Sequence, residues 1–193
     1  MAVKKVKKDI DVKYVIDTRE RDLNYTKDIL DKRRGSDGIK FTDIEVKTCK
    51  PNGMKVSSGD VTIEYRVAGT EDEWIESKFV LEIKKGTDIM QTLFTKESRD
   101  RFYNELNRIK DEDLDFYLIS TDDSETITKA IKKIPKFRNT STEILHFENF
   151  VNLQEKLLEL NMRGVLISGK NDLGWMVRRL AKRHIIKNKL QYL

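Results

Sequence analysis

Phe79-Val80-Leu81-Glu82-Ile83-Lys84 runs into Lys85-Gly86-Thr87-Asp88, and the reading of the chain turns on this stretch. Three consecutive apolar residues at its start point to a strand covered on both faces, and Gly86 ends it. Side chains on a strand alternate with period two. Glu82 and Lys84 therefore share one face, and Ile83 points the opposite way into the packing. Upstream, Gly59-Asp60 lies in another strand-rich segment. Asp60 alongside Glu82 and Lys84 would put two carboxylates and an ammonium in one small site.

That set has a specific chemistry. Two-carboxylate sites suit Mg²⁺, a hard cation that binds oxygen and keeps several waters; Mn²⁺ is expected to substitute. The ion polarises a phosphoryl oxygen and lowers the pKa of an attacking water. Lys84 then orients that water or stabilises the charge on phosphorus, and the carbonyl of Ile83 offers a further oxygen. Asp, a spacer and Glu-x-Lys form a minimal set for cutting a phosphodiester with a metal. The bland alternative is a salt-bridged strand end in a chain rich in acids and lysines.

Outward from this stretch, Lys4 to Lys8 forms a basic arm and Val12 to Asp17 a buried strand. Leu23 to Arg33 has helical spacing, and Gly35, Ser36 and Gly38 break it. Phe41 to Cys49 and Met54 to Val67 alternate as strands around a Pro51-Asn52-Gly53 turn. Past Asp88 a short helix reaches Phe94, and Ser98 is placed to cap a longer one to about Lys110, with Phe102, Leu106 and Ile109 on one stripe. Leu114 to Ser120 is expected as a strand, Ser124 to Ile134 as a helix, and Ile144 to Phe147 as a short strand before a helix from Asn149 to about Leu160. Val165 to Ile167 is a last strand or extended link. A final helix runs from about Asp172 to Lys189. This order implies an α/β fold, a mixed sheet flanked by helices.

The chain has 193 residues, 38% hydrophobic and 37% charged, with a net charge of +5 and a pI near 9.1. That balance permits a polyanionic partner without requiring one. The lone Cys49 excludes an internal disulfide and a cysteine-rich zinc site and fits a reducing compartment. His146 and His184 are too far apart in sequence to suggest a histidine mechanism. No run approaches the roughly 20 apolar residues of a membrane span, and Met1 to Lys8 is not followed by the apolar run of a secretory signal. A cytoplasmic, intracellular protein is expected. Walker spacing is absent, so no nucleotide cofactor is expected.

Several motifs fall in one order: Asp17-Thr18-Arg19-Glu20, Gly59-Asp60, Glu82-Ile83-Lys84, Asp88, then Arg99 and Arg101 opening a longer helix. In this the chain resembles the nuclease domain of the XPF-type structure-specific endonucleases, within the PD-(D/E)XK superfamily, over roughly Val12 to Leu160. The family pattern is Asp-x-Arg-Glu, then Gly-Asp, then Glu-Arg-Lys, three residues and Asp. The family arginine is Ile83 here, and a common helix glutamine is Glu105. The resemblance implies a restriction-endonuclease-like fold, with Asp17, Asp60 and Glu82 as metal ligands and Lys84 as catalytic lysine. Arg19, Glu20, Asp88 and Arg101 become supporting residues. It also implies a Mg²⁺-dependent DNA endonuclease of repair or recombination type, acting on branched or flap-like DNA, and a homodimer.

The last helix carries Arg178, Arg179, Lys182, Arg183 and Lys187 with no acid after Asp172. Trp175, Leu180 and Ile185 or Ile186 supply an apolar seam. Such a helix can lie along a phosphate backbone, and is expected to stand in for the helix-hairpin-helix module of larger family members. The domains expected are a basic arm at 1–11, a nuclease domain at 12–160 and a helical extension at 161–193 packed on it. The competing function is a non-catalytic DNA-binding module that partners an active subunit; intact Asp60, Glu82 and Lys84 argue against it.

Overall fold

The computed structural model describes residues 7–18, 30, 38–47, 59–122, 140–168 and 172–192, with the side chains of 140–146 excepted. The helix expected at 23–33, the turn at 51–53, the strand start at 54–58, the helix at 124–134, and Arg19, Glu20 and Cys49 lie outside these residues. The described elements are β1 (Ile10–Asp17), β2 (Ile39–Lys47), β3 (Val61–Val67), β4 (Ile75–Lys84), α1 (Gly86–Phe94), α2 (Lys96–Asp111), β5 (Asp115–Ser120), α3 (Thr140–Glu159), β6 (Leu166–Ile167) and α4 (Leu173–Lys187). The strands form a mixed six-stranded sheet in the order β2-β1-β3-β4-β5-β6. With four helices among the described residues, the fold is α/β. The chain divides into two compact units, Met1–Val80 with Asn171–Leu193, and Leu81–Lys170.

In the first unit β1 is the axis. It pairs in parallel with β2 and antiparallel with β3, from Ile10 opposite Val67 to Ile16 opposite Val61. One face carries Ile10, Val12, Tyr14 and Ile16 against Val61, Ile63 and Tyr65, all buried. Tyr14 stacks on Phe41 of β2 with ring centroids 4.9 Å apart. Helix α4 buries Leu173, Val177, Leu180, Ala181 and Ile185. Its His184 is only 2% exposed and meets the Phe79 ring edge-on at 5.7 Å.

The opposite face of β1 and β3 is charged, though buried. Lys13 is paired with Glu45 of β2 and, at 2.9 Å, with Glu64 of β3; Lys47 also pairs with Glu64. Burial alone would lower the Lys13 pKa, but hydrogen bonds to Glu45 and Glu64 raise it above the ordinary lysine value. Its hydrogen bond to Lys13 holds the Glu45 carboxyl below its ordinary value. Paired charges survive burial where a single one would not: removing one partner of a buried pair costs about 3–5 kcal/mol. Trp74 receives Lys13 at 4.7 Å and Arg66 at 4.5 Å from its ring centroid.

The second unit builds on β5, whose Ile119 and Ser120 pair in parallel with Leu166 and Ile167 of β6. Helix α1 buries Ile89, Met90 and Leu93, and α2 buries Phe102, Leu106 and Ile109. The stripe expected on α2 is therefore its core face. Its cap is different from the one expected. Thr95, extended at φ −93° and ψ 147°, accepts the Ser98 N–H on its side chain, so Ser98 lies inside the first turn. Capping requires non-helical backbone at the cap itself, which Thr95 has.

The strand expected at Ile144 to Phe147 is not formed; those residues belong to α3. A four-residue apolar run does not by itself distinguish strand from helix. The longer pattern decides, because Asn149, Leu153 and Leu157, buried at i, i+4 and i+8, have helical period.

Two consequences are measurable. Gly38 sits at φ +78°, and a Cβ there would run into the Asp9 carboxylate. Gly38→Ala should lower stability by about 1–2 kcal/mol, read as a lower urea midpoint at unchanged slope. The second concerns pH. The raised Lys13 pKa contributes stability that is complete below the ordinary lysine value and lost as pH rises through the raised one. The lowered Glu45 pKa contributes stability present above the ordinary carboxylate value and lost as pH falls through the lowered one. Thermal unfolding across pH should show both losses, with Glu45→Gln weakening the acid-side loss and leaving part of the alkaline one to Glu64.

Candidate active site

In the first unit, the β1–β3 ladder continues one step beyond the strands. The Asp17 N–H donates to the Asp60 carbonyl at 2.9 Å. Asp17 closes β1 and is 2% exposed, whereas Asp60 is half-buried immediately before β3. Gly59 precedes it at φ +76°, a backbone conformation that glycine adopts without steric cost. The Gly-Asp pair thus combines a turn that needs glycine with a carboxylate at the strand entrance.

In the second unit, Glu82 and Lys84 share a face of β4 and form an ion pair at 2.5 Å, both partly shielded from solvent. The Lys84 carbonyl accepts the Thr121 N–H at 3.0 Å, tying the end of β4 to the end of β5. The turn into α1 is held by Asp122, whose carboxylate accepts the Gly86 N–H at 2.9 Å. Helix α1 has no side-chain cap of its own at Lys85, and a carboxylate near a helix N-terminus is favourable in the macrodipole. Sequence reasoning missed Asp122, because its partner lies 36 residues away and no local pattern marks it. The Thr121 hydroxyl beside it is buried with no partner among the described residues.

The supporting residues separate. Asp88 stands exposed in the first turn of α1. Arg101 is exposed on α2, lining an open depression with Lys96, Glu97, Asp100, Asn104 and Arg108. Arg99 turns inward, donating to the Asn149 side-chain oxygen at 3.0 Å and to the Leu93 carbonyl at 3.4 Å, so it joins α1, α2 and α3. Beside it, burial pushes the Tyr103 hydroxyl up in pKa, with the Arg99 charge opposing.

Asp17, Asp60 and Glu82 are oxygen donors, the ligand chemistry that Mg²⁺ takes. Among the described residues no three His, Cys, Asp or Glu side chains form a group that could hold a metal ion. Mg²⁺ usually takes one or two protein carboxylates and keeps its waters, and Asp17 with Asp60 in the first unit, and Glu82 in the second, each offer that oxygen chemistry.

On α4, Arg179 and Arg183 are exposed, and Arg178 and Lys182 are half-exposed. The apolar seam differs from the expected one. Leu180 and Ile185 are buried, but Trp175 is 50% and Ile186 56% exposed. At 100° per residue, Trp175 lies on the side of the helix opposite the buried Leu173, Val177 and His184. No described helix is long and apolar enough to cross a membrane.

No protein-family model matches the chain, and no curated protein matches it. Among solved structures, the chain is similar to XPF from Aeropyrum pernix at a TM-score of 0.49 and 11% sequence identity. The similarity covers 92% of this chain and 68% of that one.

Proposed function

We propose that this chain is a metal-dependent DNA endonuclease that hydrolyses phosphodiester bonds, with branched or flap-like DNA as substrate. The observation that carries the reading is the Glu82–Lys84 pair on one face at the end of β4. It puts a carboxylate and an ammonium together at a half-buried strand end, as the Glu-x-Lys pattern requires, and the loss of cutting in Lys84→Ala separates this reading from a merely structural ion pair. The Asp17–Asp60 backbone link sets the Gly-Asp carboxylate next to Asp17 in the ladder. Asp17, Asp60 and Glu82 are the residues that would hold Mg²⁺, which supplies a Lewis acid for the phosphoryl oxygen. Glu82, paired with Lys84, holds the ammonium in place. Lys84 donates to the attacking water or to the charge that develops on the phosphoryl group. Asp122, through Gly86, holds the turn that follows these two residues. Asp88 and Arg101 take supporting roles toward the substrate. The acid-free helix α4 supplies phosphate contacts through Arg178, Arg179, Lys182, Arg183 and Lys187.

Two experiments test this reading. With flap, fork, four-way and linear duplex DNAs, the chain should cut in Mg²⁺ or Mn²⁺ and stop in EDTA. Asp60→Ala and Lys84→Ala should each lower cutting on the order of 100-fold or more while DNA binding persists. Binding without cutting under either metal would overturn the enzyme reading in favour of a non-catalytic DNA-binding module. The second experiment follows binding against salt. Replacing Arg183 and Lys187 together by alanine should reduce the slope of log K against log salt by about 2, one for each phosphate contact. An unchanged slope would remove α4 from the DNA path.

A further inference from the structure

Helix α4 presents an outward stripe that the phosphate contacts do not explain. At 100° per residue, Trp175, Arg179, Lys182 and Ile186 fall in one narrow sector. Trp175 is half exposed, and the Arg179 guanidinium lies over its ring at 5.1 Å from the centroid. A cation over an indole favours a fixed ring position, so the aromatic face is held at the surface in the middle of positive charge. From Leu173 to Tyr192 the chain has six lysines and arginines and no acid.

We propose that Trp175 is a stacking platform for an unpaired base of single-stranded nucleic acid, with Arg179 and Lys182 on the flanking phosphates. This deepens the nucleic-acid reading of α4 and rests on it. The charge of the stripe selects a polyanion, and the indole selects one with accessible aromatic faces. Bases in a duplex are stacked on each other and offer none, so the platform favours an unpaired segment. Every base has such a face, and recognition of this kind is tolerant of sequence. An anionic membrane surface fits less well. A helix lying in a membrane needs a continuous apolar face, and the apolar face of α4 is buried within its own unit, leaving only Trp175 and Ile186 outward.

The chain has two tryptophans, so a Trp74→Phe background isolates the emission of Trp175 and keeps an aromatic face for Lys13 and Arg66. Binding is measured in EDTA with single-stranded and duplex oligonucleotides, so that the result is independent of whether the chain cuts. Single strands should quench Trp175 emission and duplex should not. Trp175→Ala should lower single-strand affinity on the order of ten-fold and lower the ratio of single-strand to duplex affinity, with the salt slope unchanged because no charge is removed. Trp175→Phe should restore most of the loss. Equal losses on single strand and duplex, or no quenching by single strands, would overturn the proposal. So would quenching by phosphatidylserine vesicles in place of single strands. A chain that binds and quenches as described but never cuts would overturn the nuclease reading alone.

Discussion

The register of β1 against β3 is the constraint on which the first unit depends. Ile10 to Ile16 pair with Val67 to Val61, and the pairing ends where the Asp17 N–H meets the Asp60 carbonyl. A one-residue slip would exchange the faces of every side chain on a strand. Tyr14 and Ile63 would then leave the core, and Lys13 and Glu64 would enter it. Burial of the apolar face therefore holds the register, and the register sets Asp17 and Asp60 at neighbouring backbone positions. The candidate carboxylates inherit their position from the packing of the face opposite their own.

The charged face of the same strands obeys a different rule. Lys13 and Glu64 are nearly as inaccessible as the core residues, yet each has two partners of opposite sign on other strands of the sheet. Burial pushes a lysine toward the neutral form, and here the hydrogen bonds that Lys13 donates to two carboxylates outweigh it. In the second unit, beside the Glu82–Lys84 pair, charged side chains also serve chain turns. Asp122 satisfies a backbone donor at the start of α1, and Arg99 satisfies acceptors on α1 and α3. In the first unit charge is paired with charge across the strands, and in the second it also places backbone.

The amino-acid sequence by itself determined the strand at Glu82-Ile83-Lys84, the common face of Glu82 and Lys84, the core stripe of α2 and the acid-free character of α4. Each of these follows from local period or composition. It also marked Asp60, through the Gly-Asp pair beside a strand-rich segment, while the positive φ that Gly59 adopts came only with the structure. Only the tertiary structure decided that Asp17 and Asp60 are neighbours, that Asp122 holds the turn after Lys84, and that Arg99 faces inward while Arg101 faces out. It also decided that Ile144 to Phe147 continue a helix and that Trp175 stays at the surface. The physical reason is common to all of them. Period-two and 3.6-residue patterns record which face of an element is apolar, but a contact between residues 36 apart, or which of a helix's apolar residues are covered, depends on what the rest of the chain packs there.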